Sequence, residues 1–168
     1  MTFAARVLLA LNRVFPQPID YKGTSTDAYS QWEHDTGRDM FERYFSRHVA
    51  VEGRALLDVG CGAGGKTVFY SGLGPERLIA IDILEKNAAQ AKSYATSHDA
   101  EADYAIADAA RLPFAADTFD IIAATDTFEH FADPLAALRE MARVLRPGGD
   151  VLFNFPPYRS PLGSHLYD

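Results

Sequence analysis

Only one cysteine, Cys61, occurs among the 168 residues. No intramolecular disulfide can form, so the fold depends on its own core, and the composition favours a reducing compartment such as the cytoplasm. Basic residues are also in short supply, 16 Lys and Arg against 23 Asp and Glu, for a net charge of −7. So acidic a chain is poorly suited to wrapping a polyanion, which argues against nucleic-acid binding and leaves a small molecule as the expected partner. The opening MTFAARVLLALNRVFPQP is apolar, but Asn12 and Arg13 interrupt it. It is too short to span a bilayer and makes a poor signal peptide. Internal repeats and low-complexity tracts are missing too.

What is present is an ordinary globular composition. Hydrophobic residues make up 48% and charged residues 23%, which excludes wholesale disorder. The length suits one domain that buries its core without staples and leaves no room for a second full domain. We expect residues 1–50 to form a helical cap or lid on a core of residues 51–168, all within a single domain. In the opening segment Phe3, Ala4, Val7, Leu8, Leu11, Val14 and Phe15 make a helical stripe beside Arg6 and Arg13. Packing on the domain is expected, with peripheral membrane contact through residues 1–15 as the other use of such a helix. Beyond Pro16 and Pro18, Asp27 is placed to cap a helix carrying Tyr29 and Trp32. Asp35-Thr36-Gly37 is expected to interrupt it, and a second helix to carry Met40, Phe41, Tyr44, Phe45 and His48.

From Ala55 the pattern changes to short apolar runs alternating with helical segments, the signature of a parallel α/β sheet. Strands are expected near residues 55–59, 77–81, 104–107, 119–125 and 151–155. Helices are expected from Gly65, over 85–98, and from Pro134 behind the cap Asp133. The last should bury Leu135, Leu138, Ala142 and Leu145, and Pro147-Gly148-Gly149 should turn the chain into the final strand.

Between the first strand and its helix the chain reads LLDVGCGAGGKT, from Leu56 to Thr67. Three nucleotide-binding patterns fit. Gly60, Gly62 and Gly65 give the dinucleotide fingerprint G-x-G-x-x-G, and Gly60, Gly65, Lys66 and Thr67 give the P-loop G-x-x-x-x-G-K-T. Asp58, Gly60, Gly62 and Gly64 give the D-x-G-x-G-x-G loop of S-adenosylmethionine (SAM) methyltransferases. All three present backbone N–H groups and a helix N-terminus to a ligand, so the loop by itself does not separate them. A P-loop would set Lys66 on phosphates, Thr67 on Mg²⁺ and Asp126 in support of the metal. A dinucleotide fold expects an acid about 20 positions on, which Asp82 supplies. That acid serves a SAM ribose equally well, and the chain is short for a dehydrogenase with two nucleotide-binding halves.

The stretch from Leu56 to Phe155 resembles the class I SAM-dependent methyltransferases, in particular the small-molecule group called type 11. LLDVGCGAGG is similar to that family's first motif, and AIDI to the acidic end of its second strand. ADAARLPFAADTFDIIAATDTFEHFADPLAALREMARVLRPGGDVLF is similar to the rest of its core, RVLRPGG being especially telling. The resemblance implies a Rossmann-like, doubly wound sheet of mainly parallel strands, with N-terminal helices. It also implies SAM as cofactor and methyl transfer to a small-molecule acceptor. An incomplete or non-catalytic SAM-binding fragment is the alternative, and a P-loop NTPase or NAD-binding protein a remote one.

By the same resemblance, Gly60, Cys61, Gly62 and Gly64 let backbone approach the methionine part of SAM, and Asp58 helps to hold its ammonium. Asp82 with Ile83 is similar to the ribose-binding position, and Asp108 with Ala109 to the adenine-binding one. Thr125, ending the fourth strand, lies where the family makes backbone contacts. Lys66 is then expected to be an exposed first-turn lysine and Thr67 an ordinary helix residue. Asp126, Glu129 and His130 recur at i, i+3 and i+4 and would share a face on a helical turn. His130 is the candidate general base. The same stretch resembles the acid-x-x-Glu-His of ubiquinone-pathway O-methyltransferases, where a divalent metal is implicated, but three residues are a weak metal signature and no metal site is assigned. Tyr29, Trp32 and Tyr158 are candidates to line an aromatic acceptor pocket. Asn154-Phe155-Pro156-Pro157-Tyr158 echoes the N-P-P-Y of amino-methylating nucleic-acid enzymes, but it follows the fifth strand and has Phe155 inserted, so it reads as a decoy. Residues 156–168 are too few for another helix and two strands. A chain truncated relative to its family, with an exposed fifth-strand edge prone to self-association, is the resulting expectation.

Overall fold

Apolar runs without alternation build the centre of the molecule. The structure, a computed structural model, describes residues 26–155; the opening helical stripe, with its membrane alternative, and Tyr158 fall outside the described residues. Ala55–Val59 (β1) is buried at every position, as a strand covered on both faces requires. Around it stand Arg77–Asp82 (β2), Asp103–Ile106 (β3), Phe119–Thr125 (β4) and Leu145–Asn154 (β5). Their order is β3-β2-β1-β4-β5 and every pairing is parallel. The helices are Thr26–Met40 (α1), Gly65–Ser71 (α2), Glu85–Ser97 (α3) and Pro134–Val144 (α4). The expected Rossmann-like parallel sheet is therefore present, with its topological switch between β1 and β4. In such a sheet ligands bind beyond the carboxyl ends of the strands at that switch.

Strand periodicity divides the core in two. Leu57, Val59, Ile122 and Ala124 pack with Ala137, Met141 and Val144 of α4. On the opposite face Leu56, Ile121 and Ala123 pack with Phe41, Phe69 and Tyr70. Among the described residues no helix is long and apolar enough to cross a membrane.

Several local expectations are corrected. Asp35-Thr36-Gly37 does not break the first helix: α1 runs through it to Met40, and Phe41–Phe45 continues as a π-helical turn instead of a separate helix. Thr36 sits inside the helix because its hydroxyl donates to Trp32 O at 2.8 Å. Gly37 is buried against α2, with Lys66 Cγ 3.0 Å from where a Cβ would lie. Asp27 falls in the first turn of α1, which begins at Thr26. Asp133 caps α4 as expected, accepting from Ala136 N at 2.9 Å, but the buried stripe is Ala137, Met141 and Val144. Leu135 and Leu138 are 57% and 42% exposed, and Ala142 is exposed. The buried stripe follows the helix's own rotation, and Leu135 and Leu138 lie off it. β5 also starts earlier than expected. Leu145 pairs with Phe119 and pairing resumes at Asp150 with Ile121, so Pro147-Gly148-Gly149 forms an irregularity within the strand. Proline lacks the N–H that a ladder needs, and Gly148 takes φ +80°, which glycine tolerates.

Candidate functional site

The loop from Gly60 to Gly64 leaves β1 at the switch point and is shaped by close packing. Gly60 has φ +77°, and a Cβ there would overlap the Thr127 hydroxyl. Gly64, the N-cap of α2 at φ +90°, meets the α3 backbone, its Cβ position 2.6 Å from Ala91 Cα. Larger residues are excluded at both places by conformation and by space.

Accounting for the loop's donors separates the three ligand readings. Gly60 N and Cys61 N both donate to Ile81 O, at 2.8 and 2.9 Å, and Gly64 N to Cys61 O at 2.9 Å. Gly62 N donates to Asp82 Oδ2 at 3.1 Å, and Gly65 N to Glu33 Oε2 at 3.3 Å. A phosphate needs those N–H groups free. The remaining P-loop groups are engaged as well. Lys66 Nζ donates to Thr125 O at 3.1 Å and to Asp126 Oδ2 at 2.6 Å, and Thr67 Oγ1 donates to Asp58 Oδ2 at 2.6 Å. The expectation that Lys66 is exposed and Thr67 ordinary is corrected: the Lys66 side chain is 11% exposed and Thr67 is wholly buried. Lys66 ties α2 to the end of β4, and Thr67 supplies the donor that a buried carboxyl requires.

The electrostatics favour a cation. Asp58, Asp82 and Glu33 are all buried around the loop. Burial raises the Asp58 carboxyl to about 6 against the opposing Thr67 hydrogen bond and Lys66 charge. Burial likewise raises Glu33 to about 7, opposed by Lys66 and the Gly65 N–H. Three buried acids against one already paired lysine make a site that disfavours phosphate and suits a positive ligand, whose charge would favour the ionised carboxylates. Cys61 is buried, and desolvation first, then the charges of Asp58, Asp82 and Glu33, push its thiol well above the usual range; it is no nucleophile at neutral pH.

The other candidate residues are distributed around this centre. Asp82 Oδ1 accepts from Leu84 N at 2.9 Å and Asn87 Nδ2 at 3.2 Å, which fixes the carboxylate at the end of β2. Ile83 beside it is 63% exposed. Asp108 is exposed and turns the chain after β3 by accepting from Ala110 N at 2.9 Å, with Ala109 buried beneath. Thr125 is buried, its hydroxyl 3.4 Å from Tyr70 OH. Tyr29 and Trp32 stack on α1 with ring centroids 5.7 Å apart. Tyr29 borders a cleft of about 300 Å³ between α1 and α3, shared with Thr26, Glu33, Gly62, Ala63, Asn87 and Gln90.

Asp126, Glu129 and His130 do not share a helical face. Asp126 has φ +53°, which breaks the helix pattern, and only Phe128–His130 forms a short 3₁₀ turn. Among the described residues no group of three or more His, Cys, Asp or Glu is placed to hold a metal ion. The Asp126 oxygens are instead taken by Lys66 and by Asn154 Nδ2, at 2.6 and 2.7 Å. An ammonium already on the carboxylate does not fit a divalent cation at that stretch.

Glu33, Asn87 and Asn154 escape a reading by motif. For Glu33 the signal is present: Ser30, Glu33 and Gly37, the buried residues of α1, stand at i, i+3 and i+7, a helix face against the loop. Asn87 and Asn154 join through tertiary contacts that no spacing announces.

Comparison with known proteins follows the same outline. The family described as "Methyltransferase domain" matches residues 57–153, more than half of the chain. A ubiquinone biosynthesis O-methyltransferase of Cereibacter sphaeroides is 37% identical over 109 residues, covering 65% of this chain and 44% of the relative. The chain therefore spans less than half the length of such relatives. Among solved structures, a protein of Pyrococcus horikoshii OT3 superposes with a TM-score of 0.70 at 27% identity, covering 93% of this chain and 66% of that one. A SAM-dependent methyltransferase from Aquifex aeolicus gives 0.61 at 25% identity, covering 72% and 68%.

Proposed function

This chain belongs to the class I SAM-dependent methyltransferases, and from that premise we propose that it transfers a methyl group from SAM to a small-molecule acceptor. The observation that supports this most is the acid-lined loop in which the Gly60, Cys61, Gly62, Gly64 and Gly65 N–H groups are already engaged. Asp58 and Glu33 suit the ammonium of the methionine end, and Asp82, fixed by Leu84 and Asn87, suits the ribose hydroxyls. Asp108 and Ala109, flanked by exposed Ile83, suit the adenine. Bound SAM supplies a sulfonium methyl: the acceptor's lone pair bonds to it, the carbon–sulfur bond breaks, and the sulfur leaves as a neutral thioether with the electron pair. The chain's own part is alignment and exclusion of water, with α1 as the lid over the loop. His130 takes the acceptor's proton as general base, or the proton passes to solvent. We assign the chain to a reducing compartment and self-association to β5, an edge strand among the described residues.

The test is transfer of an isotopically labelled methyl from SAM to a panel of phenols, amines and carboxylates. Product is expected with at least one class, and Asp82→Ala should lower kcat/KM about tenfold or more through the cofactor. Saturable SAM binding without transfer to any acceptor would instead support the second reading, a SAM-binding module.

A further inference from the structure

We propose that Asp126, clamped by Lys66 and Asn154, orients the methyl acceptor, and that the acceptor it selects is an aromatic or apolar molecule with a hydroxyl or amine donor at the reacting atom. The inference rests on the methyltransferase reading and adds the acceptor's chemistry to it. Asp126 directly follows β4 at the switch point and holds a left-handed backbone at φ +53°. A non-glycine residue keeps such a conformation where its surroundings over-determine it, which is common at functional sites. Here it is held from three sides. Its N–H donates to Asn154 Oδ1 at 3.0 Å, Asn154 Nδ2 donates back to Oδ1 at 2.7 Å, and Lys66 Nζ reaches Oδ2 at 2.6 Å. A carboxylate accepts about four hydrogen bonds. Each oxygen retains room for one more donor, and the side chain is 49% exposed. The result is an acceptor group fixed in space and open to a ligand.

An aromatic cluster lies next to that group in the chain. Phe128, two residues on, packs against Phe153 and Phe155, which bracket Asn154, with centroids at 4.6 and 5.6 Å. Phe155 is 46% exposed. Glu129 adds a second demand for a donor: its Oε2 is buried with no hydrogen-bond partner among the described residues. Buried polar atoms are ordinarily satisfied, so this oxygen, three residues along the chain from Asp126, is short of a donor. An anionic acceptor is disfavoured, since the Asp126 carboxylate has no donor to offer it. Asp126 acts by orientation, its oxygens held in place by the Lys66 ammonium and the Asn154 amide.

Binding distinguishes the claim without requiring turnover. Protein saturated with S-adenosylhomocysteine, the demethylated form of SAM, would be titrated calorimetrically with 2-naphthol, 2-methoxynaphthalene and 2-naphthoate. We expect saturable 2-naphthol binding, with the other two weaker by about tenfold or more, the worth of one charge-assisted hydrogen bond. Asp126→Ala should weaken 2-naphthol about tenfold while leaving S-adenosylhomocysteine within about twofold. Lys66→Met should weaken it by a smaller factor that Lys66→Arg restores. Asp126→Asn keeps the volume and decides the matter if the alanine variant does not fold. No saturable 2-naphthol binding, equal binding of 2-methoxynaphthalene, or wild-type affinity in the Asp126 variants overturns the proposal alone. Failure of the wild-type protein to bind S-adenosylhomocysteine overturns the methyltransferase reading beneath it.

Discussion

At the scale of single residues, the site depends on pairs that neutralise one another's cost. Asp58 is wholly enclosed, and Thr67 is the side chain that bonds it. Thr67→Val keeps the shape and removes the donor, so we expect a loss of about 1–3 kcal/mol in urea unfolding. Gly60→Ala should cost more than a surface substitution, since the new methyl overlaps Thr127 in a left-handed backbone. A lowered unfolding midpoint for both variants checks these expectations; wild-type midpoints would mean that the loop is held otherwise. The chemistry of these residues explains why the literal P-loop match misleads. Gly65, Lys66 and Thr67 have the right identities, but their donors are directed to Glu33, Thr125, Asp126 and Asp58, partners distant in sequence.

At the scale of elements, the decisive contact is α1 on the loop and on α2. Gly65 lies against the α1 backbone at Ser30, and Ser30 Oγ donates to Ala63 O at 2.9 Å. Gly65→Ala should therefore lift α1 from α2, seen as faster amide exchange in α1 than in the sheet. Glu33 makes this contact sensitive to pH. Its pKa is raised on folding to about 7 and that of Asp58 to about 6. The folded state thus holds protons that the unfolded state releases, and stability is greatest below the unfolded values and falls as pH rises through the folded ones. The Tm of the ligand-free protein should drop between about pH 4 and 7, and Glu33→Gln should flatten that slope; a Tm that rises across the window contradicts it. Elements were legible where composition alone decides them. The uniform burial of β1 and the cap at Asp133 are local signals, whereas the buried face of α4 depends on how the helix is rotated against the sheet. Leu135 and Leu138 are the more apolar residues, yet Ala137, Met141 and Val144 face the core. The uninterrupted α1 was illegible for a similar reason, because Gly37 marks helix contact there and not a break.

At the scale of the whole molecule, the parallel sheet and its switch point followed from alternating apolar runs, and the candidate site follows from that topology. Strand order brings the ends of β1, β2 and β4 to one edge, and with them Asp58, Asp82 and Asp126. Net acidity seen in the composition becomes, at this edge, a concentration of carboxylates, Asp58 and Asp82 buried and Asp126 exposed, around a loop whose glycine N–H groups are engaged. The central claim is that this edge selects a cation-bearing nucleotide over a phosphate-bearing one. Calorimetric titration of the same protein with SAM and with Mg²⁺-ATP at pH 8 tests it most directly. Saturable SAM binding, weakened about tenfold or more by Asp82→Ala, with no ATP binding, is the predicted result. Mg²⁺-dependent ATP binding without SAM binding would contradict the account.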